Sequence, residues 1–294
     1  SNDESIAMAR RLAREEGILC GISCGAATHV AAKLARDPKW RGATIVVVDP
    51  VRGDIWIEKQ LIPLRAWVRK YNNTLRVQVE GEAILTMPIT DQVQATAAVD
   101  RPEHENLFVG DEVDNYLPMA SANHMTGNPW YSTECCAALN QSYSQTFQDT
   151  VIRMHKSFAG GITKLIYHVY PYRDSPTSPW PGYHNFGQAG FSNAWGPREP
   201  YWVDALAYND YFARHQQVLT QGDAKTDVAV YMQNYLYPPS QGIKFRVWGD
   251  TKLQEAGYTR DYLNPTMLDL PNAKVTGGRL ALNGPAYKAL IIDS

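Results

Sequence analysis

The chain has 294 residues with nearly balanced charge, 28 basic and 30 acidic side chains giving a formal net charge of −2. It is 44% hydrophobic and 20% charged, which is typical of a globular protein and excludes a disordered or collagen-like chain. Since there is no basic surplus and no apolar run near the roughly 20 residues that span a bilayer, we expect neither nucleic acid nor a membrane as a partner.

Aromatic residues are distributed unevenly along the chain. Residues 1–50 contain Trp40 but neither Tyr nor Phe, whereas residues 51–294 contain all 17 Tyr and all 7 Phe. Such a shift is typical of a domain boundary, so we predict a first unit at residues 1–50. A new strand near residue 226 divides the rest into units at 51–225 and 226–294. Because the composition changes so sharply, we interpret the chain as a composite of pieces with different origins.

The first unit has the pattern of an α/β fragment. A helix is predicted from Asp3 to Gly17, a short strand over 18–20, and a buried strand over 44–48, where every residue is β-branched. A glycine-rich turn at 21–27 leads into a second helix. Glycines at such a turn let backbone N–H groups approach an anion or a ring nitrogen, although turns of this kind also serve packing alone.

Residues 4–27 resemble the C-terminal part of cysteine synthase, an enzyme that uses pyridoxal phosphate (PLP) on a fold-type-II α/β domain. The central motif is Gly21-Ile22-Ser23-Cys24-Gly25. The resemblance implies that Ser23 hydrogen-bonds the pyridine nitrogen of PLP, that Gly25 belongs to the same cofactor-binding turn, and that the protein is cytoplasmic. The family's Schiff-base lysine and phosphate loop have no counterpart in this segment. A fragment of a PLP-dependent cysteine synthase is therefore the alternative function.

The second unit alternates between predicted helices and strands, and Glu or His side chains lie at the ends of several strands. A helix is predicted over 56–71, in which Pro63 kinks the helix or begins its second half. The other predicted elements are a strand over 75–79 ending in Glu80 and Glu82, a helix near 116–122, a strand over 130–133 ending at Glu134, a helix over 147–158, a strand over 164–170 that includes His168, and a helix over 202–222 whose apolar face includes Leu206, Phe212 and Leu219.

Functional side chains at the ends of strands that alternate with helices are typical of a (β/α)8 barrel. About half of the eight units fit between residues 54 and 225, so we predict a partial barrel. The loops after the strands would meet at one rim, where Glu80, Glu134 and His168 would line a cavity with the aromatic-rich loop 171–200. Aromatic faces suit sugar C–H groups and carboxylates supply acid or base, although a solvated loop position also explains each single Glu.

Residues 54–294 resemble fungal members of glycoside hydrolase family 106, the α-L-rhamnosidases. The matching phrases are 98–105 (Ala-Val-Asp-Arg-Pro-Glu-His-Glu), 119–127 (Met-Ala-Ser-Ala-Asn-His-Met-Thr-Gly), 130–135 (Trp-Tyr-Ser-Thr-Glu-Cys) and 164–172 (Lys-Leu-Ile-Tyr-His-Val-Tyr-Pro-Tyr). The resemblance implies inverting, carboxylate-based hydrolysis of a terminal α-linked deoxysugar. It also implies a carbohydrate substrate, calcium as a cofactor and a secreted location.

The same resemblance assigns roles to individual residues. Glu134 falls where the family has a catalytic glutamate, and Glu105 falls near an acidic residue of the substrate and calcium region. The implied substrate-binding residues are Glu80, Glu105, His168, Trp180, Tyr183 and Trp195. The family's partner carboxylate lies upstream of the position equivalent to residue 51. We therefore expect impaired catalysis, and a catalytically inactive sugar-binding protein is a further alternative.

The third unit is predicted to be another α/β domain, flavodoxin-like by the same resemblance. Its signals are a strand over 227–231, a hairpin at Thr276-Gly277-Gly278 and a buried strand over 287–292. Residues 257–262 are interpreted as a packed loop.

Two further features bear on the chemistry. The adjacent Cys135 and Cys136 are predicted to be buried thiols. Since His and Cys show no zinc-type spacing, any metal is expected to be a hard, oxygen-bound ion. The sequence leaves the oligomeric state open.

Overall fold

The structure is a computed structural model, which describes residues 2–15, 22–40, 56–79, 91–105, 112–139, 141, 143–172, 176–177, 191–192, 194–232 and 251–292. The helices are α1 (Asn2–Glu15), α2 (Ile22–Arg36), α3 (Ile62–Arg69), α4 (Gln92–Ala97), α5 (Leu117–Thr126), α6 (Phe147–Ala159), α7 (Ala205–Leu219), α8 (Lys252–Glu255) and α9 (Pro265–Leu268). The strands are β1 (Arg76–Gln78), β2 (Arg101–Glu105), β3 (Ser132–Cys135), β4 (Ala138–Leu139), β5 (Lys164–Tyr167), β6 (Phe191–Ser192), β7 (Val228–Tyr231), β8 (Arg260–Leu263), β9 (Val275–Thr276), β10 (Arg279–Leu280) and β11 (Ala289–Ile292). None of the helices described in these ranges is long and apolar enough to cross a membrane.

The N-terminal part of the chain is described as two helices that pack against each other. α1 carries Asp3 and Glu4 in its first turn and Arg14 in its last, which suits the helix dipole at both ends. Both helices predicted here are confirmed. The strands predicted over 18–20 and 44–48 lie outside the described residues.

The first sheet is parallel, and its strands follow one another in chain order. β1 pairs with β2, β2 with β3 and β3 with β5. Parallel neighbours need crossover connections, and α4, α5 and α6 lie between successive strands of this sheet. The short β4 instead pairs antiparallel with β6. The predicted alternation and the α/β class are confirmed.

Helices cover one face of the first sheet. Val77 and Val79 pack in a cluster with Ile57 and Leu61, which precede α3, and with residues of α4 and α5. Side chains alternate between the two faces of a strand, so polar residues project from the opposite face. Those residues, at alternating positions in the strand register, are Gln78, Glu103, Glu105, Ser132 and Glu134.

The helix before β1 is only partly buried. A π-helical turn at Ile57–Leu61 leads directly into α3, and the Ile62 N–H donates to the Ile57 carbonyl. Pro63, which lacks an N–H, follows this change, so the prediction that Pro63 begins the second half is confirmed. Beyond this point the helical spacing predicts inward positions at Leu64, Trp67, Val68 and Tyr71, of which Val68 packs against the buried cluster and the other three are exposed. Trp67 is 54% exposed and Tyr71 68% exposed, and their rings contact each other edge to face.

α6 and α7 enclose an aromatic cluster. Phe147 stacks on Tyr208 and lies near Phe212, which is 1% exposed. The predicted inward positions Leu206 and Leu219 are wrong, with exposures of 73% and 39%. A 3₁₀ turn at Pro200–Asp204 precedes α7, and the ring-bearing stripe of α7, rather than its leucines, faces α6.

The second sheet is also parallel, with the order β11–β7–β8. Numbered along the chain and read from the β8 edge, this order is 2-1-3, and the flavodoxin-like assignment of the sheet stays a prediction. The predicted strands at 227–231 and 287–292 and the hairpin are confirmed, with Gly277 and Gly278 at φ 57° and 73° in the turn between β9 and β10. The packed loop predicted at 257–262 is wrong, because residues from Arg260 onward form the buried strand β8.

α5 joins the two sheets. Its Ser121 hydroxyl accepts a hydrogen bond from the Tyr262 N–H at 2.8 Å, and Asn272 donates to the Met125 carbonyl at 2.7 Å. Just before α5, Asp114 lies 2.5 Å from Arg260 Nη2 and 2.6 Å from the Tyr262 hydroxyl. The charge of the buried Arg260 side chain is therefore balanced by Asp114, a carboxylate from a distant part of the chain.

Candidate functional site

Two carboxylates lie side by side at the C-terminal end of the first sheet. Glu105 of β2 is the register partner of Glu134 of β3, so their Cα atoms are separated by one strand spacing, about 5 Å. Gln78 of β1 donates from Nε2 to Glu105 Oε2 at 3.3 Å. Three neighbouring strands thus contribute one polar side chain each to the same edge.

Glu134 is the more accessible of the two carboxylates. Its side chain is 29% exposed, and its Oε1 lies 3.8 Å from His168 Nε2. His168 follows β5 and is held there by its N–H, which donates to the Cys135 carbonyl at 2.6 Å. Glu105, by contrast, is 7% exposed. The structure therefore brings Glu134 and His168 together, as the strand-end pattern predicted, and places Glu105, which only the rhamnosidase resemblance singled out, beside Glu134.

Trp195 lies behind His168. Its N–H donates to the Val169 carbonyl, and its indole Nε1 donates to the His168 carbonyl, both at 3.0 Å. The ring is 4% exposed and packs against Tyr167 and Tyr201. In this position Trp195 fixes the backbone of the segment that carries His168, and its role as a sugar-binding residue stays a prediction.

An ion pair and a cation–π contact lie below the two carboxylates, toward the N-terminal end of the strands. Glu103, 6% exposed, forms a close ion pair with Arg76 and accepts from the Ser132 hydroxyl at 2.9 Å. Further down, the Arg101 guanidinium lies 4.2 Å from the centre of the Trp130 ring. Sequence reasoning missed this support, although the period-two spacing of Arg101, Glu103 and Glu105 was a usable signal.

Glu199 is a further buried carboxyl that sequence reasoning missed. It is 3% exposed, and its Oε1 accepts from the Ala194 N–H at 3.2 Å. Burial raises the pKa of Glu199 above the ordinary value for glutamate, and the backbone hydrogen bond from Ala194 opposes that rise. Since Ala194 precedes Trp195, Glu199 supports the same loop that holds His168.

Adjacent to Glu134, Cys135 and Cys136 form a disulfide with each other, and both residues are fully buried. The prediction of free thiols is therefore wrong, while their predicted burial is confirmed. The local sequence could not distinguish the two states, because both are compatible with an apolar site at the end of a strand.

The structure describes some, but not all, of the remaining predicted site residues. Glu80, Trp180 and Tyr183 lie outside the described residues. Ser23 and Gly25 lie in the first turn of α2. Lys33, in the same helix, is ten residues from Ser23, about 15 Å along the axis. It is therefore poorly placed to supply an imine to PLP bound at Ser23.

The described residues do not complete a calcium site. Calcium takes six to eight oxygen ligands. Within the described ranges, no group of three His, Cys, Asp or Glu side chains could hold a metal ion. Glu105 and Glu134 would supply carboxylate oxygens and Gln78 an amide oxygen, which is less than the set that calcium needs. Calcium at Glu105 therefore stays a prediction.

Comparison with known proteins gives matches to part of the sequence. No protein-family model matches the chain. The cysteine synthases A of Salmonella typhi and Escherichia coli (strain K12) are each 46% identical to it over 61 residues, 21% of this chain and 19% of theirs. The cysteine synthase of Staphylococcus aureus (strain N315) is 43% identical over 60 residues, 20% of this chain and 19% of the relative. The chain thus spans about a fifth of the length of these relatives.

Comparison with solved structures gives a second, different match. The rhamnosidase from Novosphingobium sp. PP1Y aligns with a TM-score of 0.64 over 82% of this chain and 23% of that chain, at 16% sequence identity. At this identity the match shows a shared fold alone. Both resemblances seen in the sequence, to cysteine synthase and to rhamnosidases, are confirmed as resemblances.

Proposed function

We propose that residues 51–294 carry an α-L-rhamnosidase-like glycoside hydrolase, in which the first sheet is part of a (β/α)8 barrel and Glu134 is the catalytic carboxylate. The supporting observation is the pairing of Glu105 and Glu134 at the C-terminal ends of neighbouring parallel strands, with His168 beside them. In a barrel of this kind the C-terminal ends of the strands form the active-site face. The shared fold with a rhamnosidase supports the same substrate class.

The chemistry of this edge divides between its residues. Glu134, part-exposed, is placed to exchange a proton with a water molecule or with the glycosidic oxygen. His168, 3.8 Å away, is placed to hydrogen-bond a sugar hydroxyl beside that carboxylate. Glu105 and Gln78, more deeply set and bonded to each other, orient the sugar hydroxyls.

The spacing of the carboxylates argues for slow hydrolysis. An inverting mechanism needs two carboxyls roughly 6.5–9.5 Å apart, so that a water fits between them. Glu105 and Glu134 are register partners on adjacent strands, so their side chains leave the same face of the sheet side by side and do not oppose each other across a substrate. Glu105 is therefore a substrate-orienting residue rather than the partner of Glu134. We propose that the chain binds the sugar and turns it over slowly.

The direct test is hydrolysis of an aryl α-L-rhamnoside. We expect slow release of the aryl group, abolished in Glu134→Gln and unchanged in the control Glu58→Gln, which alters an exposed glutamate at the π-helical turn before α3. Calorimetric titration with L-rhamnose separates binding from turnover. Binding without any turnover would replace hydrolysis with the inactive sugar-binding alternative, and absence of both would refute the proposal.

The second candidate is a fragment of a PLP-dependent cysteine synthase, favoured by the 46% identity over 61 residues. It predicts an aldimine-type absorbance band when PLP is added to the chain. Absence of the band eliminates this candidate. We also propose that the chain is a composite, with residues 1–50 intracellular in origin and residues 51–294 secreted. Sequencing of the transcript across residues 45–60 tests this, since a single natural transcript that contains both segments would contradict the composite interpretation.

A further inference from the structure

A cationic cluster lies on the polar face of the first sheet, toward the N-terminal ends of its strands. Arg101 lies two residues before Glu103 on β2, so both side chains project from the same face. Lys164 of β5 is the register partner of Ser132 and projects from that face as well. Arg101 and Lys164 thus belong to the two strands that flank β3, and both contact the ring of Trp130, which lies just before β3.

The Trp130 ring keeps the two cations close to each other. The guanidinium carbon of Arg101 lies 4.2 Å from the centre of the ring, and Nζ of Lys164 lies 5.4 Å from it. Contact with an aromatic face leaves the N–H groups at the edge of a guanidinium able to donate hydrogen bonds. All three side chains belong to part-exposed residues, so a ligand from solvent can reach the cluster.

The acidic side chains nearest to Arg101 in the sequence are engaged by other arginines. Asp100 and Glu103 each form ion pairs, but neither pairs with Arg101. Within the ranges that the structure describes, Arg101 and Lys164 form no ion pair at all. Because like charges repel, two part-buried cations held against one ring are unfavourable unless an anion compensates them.

The charge of the cluster selects the class of anion. Arg101 and Lys164 each leave a positive charge uncompensated on this face of the sheet. A phosphate monoester carries a charge of about −1.5 to −2 at pH 7, whereas a carboxylate carries a single negative charge. An arginine fork can donate two parallel hydrogen bonds to phosphate oxygens, and a lysine adds a mobile ammonium group. Phosphate therefore matches this pair of side chains in both charge and hydrogen bonding.

We propose that the cluster of Arg101, Trp130 and Lys164 binds the phosphate group of a small phosphorylated ligand. Arg101 donates through its guanidinium N–H groups, Lys164 donates through its ammonium group, and Trp130 keeps the two cations together. The site is separate from the edge that carries Glu134. Arg101 precedes Glu105, the register partner of Glu134, by four residues of the same strand, about 13 Å.

The test titrates inorganic phosphate into the full chain and measures binding by calorimetry. We expect saturable binding at one site, weakened about tenfold or more in Arg101→Gln and in Lys164→Gln, because each substitution removes a charge-assisted hydrogen bond. The matched controls are Arg214→Gln and Lys156→Gln. They neutralise exposed cations on α7 and α6 and should leave the affinity for phosphate unchanged.

A conservative substitution and a second anion make the test specific. Arg101→Lys keeps the positive charge but lacks the fork, so it should bind phosphate more weakly than wild type and more tightly than Arg101→Gln. It also keeps the test informative if Arg101→Gln fails to fold, which urea denaturation detects. Acetate, with its single charge, should bind more weakly than phosphate.

The phosphate site and the proposed hydrolase site can be tested independently. Glu134→Gln should leave phosphate binding unchanged, so the two proposals can fail separately. The phosphate proposal is overturned if phosphate does not bind to the wild-type chain, or if the substitutions of Arg101 and Lys164 weaken binding no more than the two controls do. It is also overturned if acetate binds as tightly as phosphate.

Discussion

The N-terminal helices α1 and α2 carry the cysteine-synthase-like motif, whereas the two sheets carry the rhamnosidase-like fold. The sequence match to cysteine synthases is high but covers about a fifth of the chain, and the structural match covers 82% of the chain at 16% identity. The first region contains the cysteine-synthase-like motif, but the segment has no counterpart of that family's Schiff-base lysine and phosphate loop. In the second region, Glu105, Glu134 and His168 lie together at the C-terminal end of the first sheet, although they are far apart in the sequence.

The difference follows from how each site is built. Ser23 and Gly25 lie within one turn of one helix, so similarity over a short segment preserves them. Glu105, Glu134 and His168 come from or follow three strands, and their proximity depends on the parallel register of the first sheet. A motif within one helix therefore gives little information about the rest of the site. A site built from three strands forms only when the whole sheet is folded.

The largest predicted effect is a difference in the free energy of unfolding between substitutions of two arginines, one in each region. Arg260→Ala removes the buried partner of Asp114 at the join between the sheets and should lower the free energy of unfolding by about 3–5 kcal/mol. Arg11→Ala breaks the exposed pair with Glu15 on α1 and should change nothing measurable. Urea denaturation of both variants checks this, and equal losses would contradict the assigned burial of Arg260.

The same join shows where sequence reasoning fails. β7 was predicted because Val228–Tyr231 is locally apolar, and α6 because its apolar residues recur with helical spacing. β8 was missed because Arg260 and Asp261 look like solvated residues. Their burial depends on Asp114 and His124, more than 130 positions earlier. Sequence patterns predict a helix or strand whose own residues show the apolar spacing. They miss a strand such as β8, whose polar residues are buried only because their hydrogen-bond partners come from distant parts of the chain.

The residues of the candidate site likewise include some that the sequence predicted and one that it missed. Glu134 and His168 were predicted from their positions at the ends of strands, and the structure brings them together. Glu199 was missed because its burial depends on the return of residues 194–199 over the aromatic cluster, which no short-range period reveals. The exposed Leu206 was misassigned for a related reason, since the interior of that cluster consists of rings rather than leucines.

A smaller difference in the free energy of unfolding is expected between substitutions at the N-terminal ends of two helices, α6 and α7. Thr146 caps α6 in a capping box, with its hydroxyl accepting from the Asp149 N–H and the Asp149 carboxylate accepting from the Thr146 N–H. Thr146→Ala should therefore lower the free energy of unfolding by about 1 kcal/mol. Asp204, before α7, makes no such side-chain hydrogen bond, so Asp204→Ala is the matched control. Thermal and urea denaturation measure both, and a larger loss in Asp204→Ala would reverse the assignment.

The smallest expected effect is a dependence of stability on pH at the join. Asp261 raises the pKa of His124 in the folded chain above its ordinary value, against the opposing effect of burial. The protonated form is therefore stabilised by folding. Its contribution is complete below the unfolded-state pKa, about 6.5, and is lost as the pH rises through the folded pKa.

Urea denaturation across this pH range should show the difference between wild type and His124→Gln shrinking as the pH rises. Asp261→Asn removes the charge that causes the shift, so His124 should contribute less pH dependence in that background even though the variant is less stable throughout. An unchanged slope in Asp261→Asn would mean that another group holds the proton on His124. In that case the buried support assigned to the imidazole at the join would be wrong.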